Sequence, residues 1–85
     1  MYTVKISKSA QKDLDKLPDR DFEFVDKRIQ TLATDPRPRG CVKLKGSKTD
    51  FYRVRQGRFR IIYEIFDAEL IVNVIEVADR KEVYR

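Results

Sequence analysis

Between Phe51 and Val77 an apolar residue recurs at every second position of three segments, Tyr52 and Val54, then Phe59, Ile61, Tyr63 and Ile65, then Leu70, Val72 and Val74, separated by two turn-forming dipeptides, Gln56-Gly57 and Asp67-Ala68. That period marks strands that bury one face and expose the other. It predicts strands over Phe51 to Arg55, Phe59 to Phe66 and Leu70 to Val77. Their connections are too short for a crossover, so they must run as an antiparallel meander. Val42-Lys43-Leu44 suits a short edge strand just before them.

Upstream the period differs. Tyr2, Val4 and Ile6 alternate with Thr3, Lys5 and Ser7, which predicts one leading strand. Ser7 can then cap a helix whose apolar stripe is Ala10, Leu14 and Leu17, and Pro18 ends it. Asp19 suits a second cap. Phe22, Val25, Ile29 and Leu32 form the stripe of a second helix, with Phe24 beside it. The run Asp35-Pro36-Arg37-Pro38-Arg39-Gly40 stops that helix. The expected fold is α+β, in the order β-α-α-β-β-β: an N-terminal strand, a helical hairpin and an antiparallel sheet. Eighty-five residues make one domain, 1–85.

Hairpin register decides what the sheet displays. With Gln56-Gly57 as a two-residue loop, Arg55 faces Arg58, Arg53 faces Arg60 and Val54 pairs with Phe59. One face then collects Tyr52, Val54, Phe59, Ile61, Tyr63, Ile65, Leu70, Val72 and Val74, ready to cover the helix stripes. The other face gathers Arg53, Arg55, Arg58 and Arg60. Like charges directly opposite one another destabilise a sheet. The arrangement becomes useful when an anion binds, because guanidinium forks match phosphate oxygens.

The charge of the whole chain points the same way. Between Arg37 and Arg60 stand nine Lys or Arg residues and one acid, Asp50, while the other 61 residues hold ten basic and thirteen acidic side chains. Positive charge confined to one block is the footprint of a polyanion-binding surface. Within that block Lys43, Lys45, Lys48 and Arg58 are candidate RNA- or ribosome-binding residues.

The same composition excludes much chemistry. The chain has no histidine, which removes the common neutral-pH base, serine-type triads and most zinc sites. Its one cysteine, Cys41, cannot form an internal disulfide and has no histidine to activate it. The three glycines stand apart, so there is no phosphate-cradling loop, and the carboxylates show no metal-binding spacing. No cofactor and no metal are expected. No apolar run approaches the ~20 residues that span a bilayer, and Met1–Ile6 lacks the build of a signal peptide. A cytoplasmic protein is expected. Arginine, lysine and tyrosine remain, and they suit metal-free cleavage of RNA by its own 2′-hydroxyl, with fixed guanidinium groups stabilising the charge that builds on the phosphate.

Three segments carry a resemblance. Tyr52-Arg53-Val54-Arg55, followed by Gly57-Arg58-Phe59-Arg60-Ile61-Ile62-Tyr63-Glu64, resembles the central hairpin of the RelE/ParE toxin superfamily. Lys43-Leu44-Lys45-Gly46 is similar to that family's short basic motif, and Val77-Ala78-Asp79-Arg80-Lys81-Glu82-Val83-Tyr84 resembles the tail of the RelE branch. The resemblance runs the full length. It implies a microbial RNase-like sheet with the helices on one face, and a toxin of a type II toxin–antitoxin system that cuts messenger RNA in the ribosomal A site. It also implies a RelB-like antitoxin as partner, besides the ribosome and its message. By the same resemblance Arg60 contacts the scissile phosphate and Arg80 stabilises the transition state. Tyr84 stacks on a base and is a candidate for proton transfer. Lys45 meets ribosomal RNA or the message backbone. Arg53 and Arg55 occupy paired basic strand positions where some members carry lysines, one of them a proposed general base. Arginine effectively never deprotonates, so here the base is left unassigned. The alternative is a non-enzymatic ParE-like gyrase poison, a branch that usually lacks the full set of Arg60, Arg80 and Tyr84. A plain RNA-binding module would need exposed aromatics interleaved with the basic residues, and none is evident.

Overall fold

In the computed structural model, which describes residues 1–46 and 48–79, strand β1 (Thr3–Ile6) leads into helices α1 (Lys8–Asp15) and α2 (Asp19–Thr31). Four strands follow: β2 (Val42–Leu44), β3 (Phe51–Gln56), β4 (Phe59–Phe66) and β5 (Ile71–Asp79). The edge strand over Val42–Leu44 forms, so the order is β-α-α-β-β-β-β. All five strands join one sheet in the order β1-β5-β4-β3-β2, antiparallel except where β1 lies parallel to β5. No helix among the described residues is long and apolar enough to cross a membrane.

Ser7 caps α1 as expected, its hydroxyl accepting from the Ala10 N–H at 3.1 Å. Asp19 does not cap α2. Pro18 takes that place with no side-chain bond, and Asp19 becomes the first helical residue, where with Asp21 it suits the dipole. Ala10 and Leu14 of α1, and Val25 and Ile29 of α2 with Leu32 just beyond it, are buried against Tyr52, Val54, Ile61, Tyr63, Val72 and Val74 of the sheet. Each fully buried aliphatic side chain contributes about 1.5–3 kcal/mol. Phe22, expected in the stripe, is 37% exposed, and Phe24 is 55% exposed. Leu70, expected on the core face, lies instead in the β4–β5 turn with φ 55° and half of its surface open.

Two features of the sheet depart from simple alternation. The hairpin loop is Gly57-Arg58, not Gln56-Gly57, so Gln56 pairs with Phe59, Arg55 with Arg60 and Val54 with Ile61. Gly57 has φ 59°, and a glycine with positive φ at the first central position is what a type II′ turn requires. The expected pairs Arg55–Arg58 and Arg53–Arg60 are therefore corrected by two residues. Such a shift preserves which side chains share a face. The second feature is in β5, where pairing steps from Ile62↔Glu76 to Tyr63↔Val74 and leaves Ile75 as the extra residue of a bulge. Helix-side groups serve the bulge: the Ser7 hydroxyl donates to the Ile75 carbonyl at 3.3 Å, and the Asp13 carboxylate accepts from the Val77 N–H at 3.0 Å. The bulge lets Val74 and Val77, three apart, both reach the core.

Candidate nucleic-acid interface

The helices cover one face of the sheet, and the opposite face is where the arginines gather. Alternation with buried Tyr52, Val54, Phe59 and Ile61 turns Arg53, Arg55 and Arg60 outward together. Nearest the hairpin, Arg55 stands opposite Arg60, and Arg60 stands opposite Ala78. In the next row Val42, Arg53, Ile62 and Glu76 lie side by side across β2, β3, β4 and β5. One row further come Leu44, Phe51, Glu64 and Asn73, with the Asn73 side-chain amide donating to Glu64 at 3.2 Å. The small side chain of Ala78 leaves room beside Arg60.

Among the described residues none of Arg53, Arg55 and Arg60 has an ion-pair partner. Arg60 is half-buried, and its Nε is shielded from solvent with no hydrogen bond. A buried donor without an acceptor costs about 1–3 kcal/mol. Three guanidinium groups within two adjacent rows, none of them ion-paired among the described residues, form a positive cluster able to hold a phosphate and to stabilise charge developing on it.

The remaining basic candidates separate. Arg58 sits in the turn and swings to the helix side. Its Nε lies 3.1 Å from Asp79, its Nη2 lies 3.6 Å from Asp21, and its Cζ lies 5.2 Å from the centre of the Phe59 ring. It does not join the other three arginines. A cleft of about 270 Å³ beside it, lined by Asp21, Phe24, Gln56, Gly57, Arg58 and Phe59, also lies off the arginine face. Lys43 pairs in register with Tyr52, on the helix-side face, and its ammonium meets Asp50 at 3.1 Å. That carboxylate holds the Lys43 pKa above the ordinary lysine value. Lys45 and Lys48 are exposed in the segment between β2 and β3. Gly46 is needed there, because an added Cβ would collide with the Thr49 carbonyl and the Phe51 ring. Arg80 and Tyr84 lie outside the described residues.

A polar clasp at the opposite end of the sheet was not anticipated. The Arg37 guanidinium grips Asp67 with two bonds of 3.2 and 2.9 Å, and the Tyr2 hydroxyl donates to the same carboxylate at 2.6 Å. Arg37 also lies over the Tyr52 ring, 5.2 Å from its centre, and Tyr52 stacks on buried Tyr63, whose hydroxyl donates to the Pro36 carbonyl at 2.7 Å. These contacts tie β1, the segment after α2, β3, β4 and the β4–β5 turn together. The Arg37 and Tyr2 bonds hold the Asp67 carboxyl down at about 2, and the same carboxylate raises the Tyr2 hydroxyl. Burial pushes the Tyr63 hydroxyl up. No group of His, Cys, Asp and Glu among the described residues is arranged to hold a metal ion.

A family model described as the ParE toxin of type II toxin–antitoxin systems matches residues 4–84. The chain belongs to that toxin family. Relatives of this toxin carry RelE names. The RelE1 protein of Methanocaldococcus jannaschii is 33% identical, over 99% of this chain and 96% of its own. Among solved structures, the toxin in an archaeal RelE–RelB complex from Pyrococcus horikoshii superposes with a TM-score of 0.81 at 30% identity, covering 93% of this chain and 94% of that one. The toxin–antitoxin complex RelBE2 of Mycobacterium tuberculosis gives 0.82 at 30% identity, covering 93% and 98%. The toxin is RelE-like, and the RelE side of the family is favoured over the ParE side.

Proposed function

We propose that this toxin is an endoribonuclease that cuts messenger RNA in the ribosomal A site. The observation that carries the reading is the trio Arg53, Arg55 and Arg60, which share one sheet face and have no ion-pair partner among the described residues. Such a face suits the phosphate at which a 2′-hydroxyl attacks in line. Arg60, unpaired among the described residues, is suited to the non-bridging oxygens. Arg53 and Arg55 add charge and fix the backbone. Arg80 is proposed to stabilise the transition state and Tyr84 to stack on a base and assist proton transfer. Lys45 and Lys48 are proposed to meet the message or ribosomal RNA, with lesser parts for Lys43 and Arg58, which already hold carboxylates. The reaction needs neither metal nor cofactor, and it takes place in the cytoplasm.

A RelB-like antitoxin is the proposed partner that silences the toxin. Two of the similar structures are RelE–RelB-type complexes, which supports this. An acidic segment laid over the three arginines would neutralise the charge that RNA needs.

Primer extension on messages from a translation extract tests the reading. The toxin is expected to produce cuts within translated codons and to leave naked RNA largely intact. Arg80→Ala and Tyr84→Phe should each lower cutting far more than they lower the unfolding midpoint. Intact messages together with trapped gyrase–DNA complexes would replace this reading with the gyrase-directed one.

A further inference from the structure

Cleavage by a 2′-hydroxyl needs a group to take its proton, and the three arginines cannot serve, because guanidinium stays protonated. The sheet register supplies one. Two carboxylates share the face with Arg53, Arg55 and Arg60, namely Glu64 and Glu76. Glu64 is half-buried, is engaged by the Asn73 amide and stands four residues along β4 from Arg60, about 13 Å at strand spacing. Glu76 is exposed and has no partner among the described residues. It lies opposite Ile62, one row from the Arg60–Ala78 pair and therefore diagonal to Arg60, with Cα atoms about 7–8 Å apart. Arg53 flanks Ile62 on its other side. Ile62 thus forms an apolar floor between a carboxylate and a guanidinium, with a second guanidinium at the next step.

We propose that Glu76 is the general base of the cleavage reaction, accepting the 2′-hydroxyl proton of the nucleotide whose phosphate lies on Arg53 and Arg60. This rests on the endoribonuclease reading above. The freed O2′ attacks phosphorus and forms a P–O bond while the P–O5′ bond breaks. The departing O5′ takes a proton from solvent water, and Glu76 returns its own proton to solvent. The products are a 2′,3′-cyclic phosphate and a 5′-hydroxyl, and no water is consumed. The placement has a further logic. An unpaired carboxylate repels phosphate, so on a surface that only binds RNA it would weaken the binding. Its presence beside Arg60 is useful only if it acts on the bound message.

The test is single-turnover cutting on programmed ribosomes by the full-length toxin, alongside ribosome binding by the same variants. Glu76→Gln is expected to cut about 10²–10⁴-fold more slowly, the range for a positioned proton acceptor, and to bind as tightly as the unaltered toxin or tighter. Glu76→Ala should regain at least tenfold of its rate when acetate is added, and Arg60→Ala should not. Glu76 is a surface residue, so the unfolding midpoint should stay put. If Glu76→Gln cuts within about threefold of the unaltered toxin, Glu76 is not the base, and the endoribonuclease reading stands. If the unaltered toxin itself leaves ribosome-bound messages whole, the endoribonuclease reading fails and takes this assignment with it.

Discussion

Arg55 and Arg60 stand directly opposite one another across the β3–β4 hairpin, two like charges where a cross-strand pair would ordinarily be matched. Opposed like charges destabilise a sheet, where favourable cross-strand pairs contribute about 0.2–1 kcal/mol. Arg55→Thr, at the exposed member of the pair, should therefore raise stability, by no more than about 1 kcal/mol, while reducing message cutting. Urea unfolding read beside the cutting assay checks both halves. A variant that loses stability as well as activity would mean that Arg55 supports the fold.

Lys43 and Arg53 are neighbouring basic residues with different surroundings. Lys43 holds Asp50 from the helix side of the sheet, and Arg53 faces outward without an acid. Binding of single-stranded RNA as a function of salt should separate them. Arg53→Ala should reduce the slope of log K against log salt by about 0.7, one phosphate contact, and Lys43→Ala should leave it nearly unchanged.

The clasp on Asp67 sets an acid limit. Folding favours its carboxylate, with the group held at about 2 against an ordinary 3.8. The clasp therefore stabilises fully above the ordinary carboxylate range, and that stabilisation is lost as pH falls toward 2. Asp67→Asn should be less stable at neutral pH and should show a shallower decline between pH 4 and 2. Thermal unfolding across that window is the measurement.

Tyr63 is fully buried, and its hydroxyl serves the Pro36 carbonyl. Tyr63→Phe keeps the ring stack but strands that acceptor, at a cost of about 1–3 kcal/mol. In a domain of this size each kcal/mol lowers the unfolding midpoint by about 4–8 °C. Calorimetry should show such a drop with ribosome binding intact.

If the antitoxin lies over Arg53, Arg55 and Arg60, its association rate should fall steeply with salt, because an exposed positive face steers an acidic segment. Stopped-flow mixing at several ionic strengths would show this. A rate indifferent to salt would put the contact elsewhere, on the helices.

Much of this molecule was legible beforehand, and what was not has identifiable causes. Alternation from Phe51 onward located three strands and the shared side of Arg53, Arg55 and Arg60, because side-chain parity survives a hairpin shift of two residues. Which dipeptide formed the loop did not follow from spacing, since Gln56-Gly57 and Gly57-Arg58 both contain the needed glycine. Only the second puts it at the first central position. Arg58 was misplaced for that reason. Lys43 looked like its neighbours because charge counting is blind to which side of an edge strand a residue takes. The bond from Arg37 to Asp67 joins positions thirty apart in a loop and a turn, where no period connects them. Arg80 and Tyr84, in the family's tail, lie outside the described residues.

The extra residue at Ile75 has a consequence for anyone recombining this toxin with its relatives. Counting inward from the Asp67 turn gives the wrong phase for everything past Val74. A chimera of equal length without the irregularity would place Ile75 opposite Ile62 and turn Glu76 toward the hydrophobic interior. A lone ionised carboxylate sealed among Ile61, Leu14 and Val54 would cost several kcal/mol, enough to unfold a domain this small. Splice points should be aligned from the Val77 end, where the Asp13 side chain marks the correct frame.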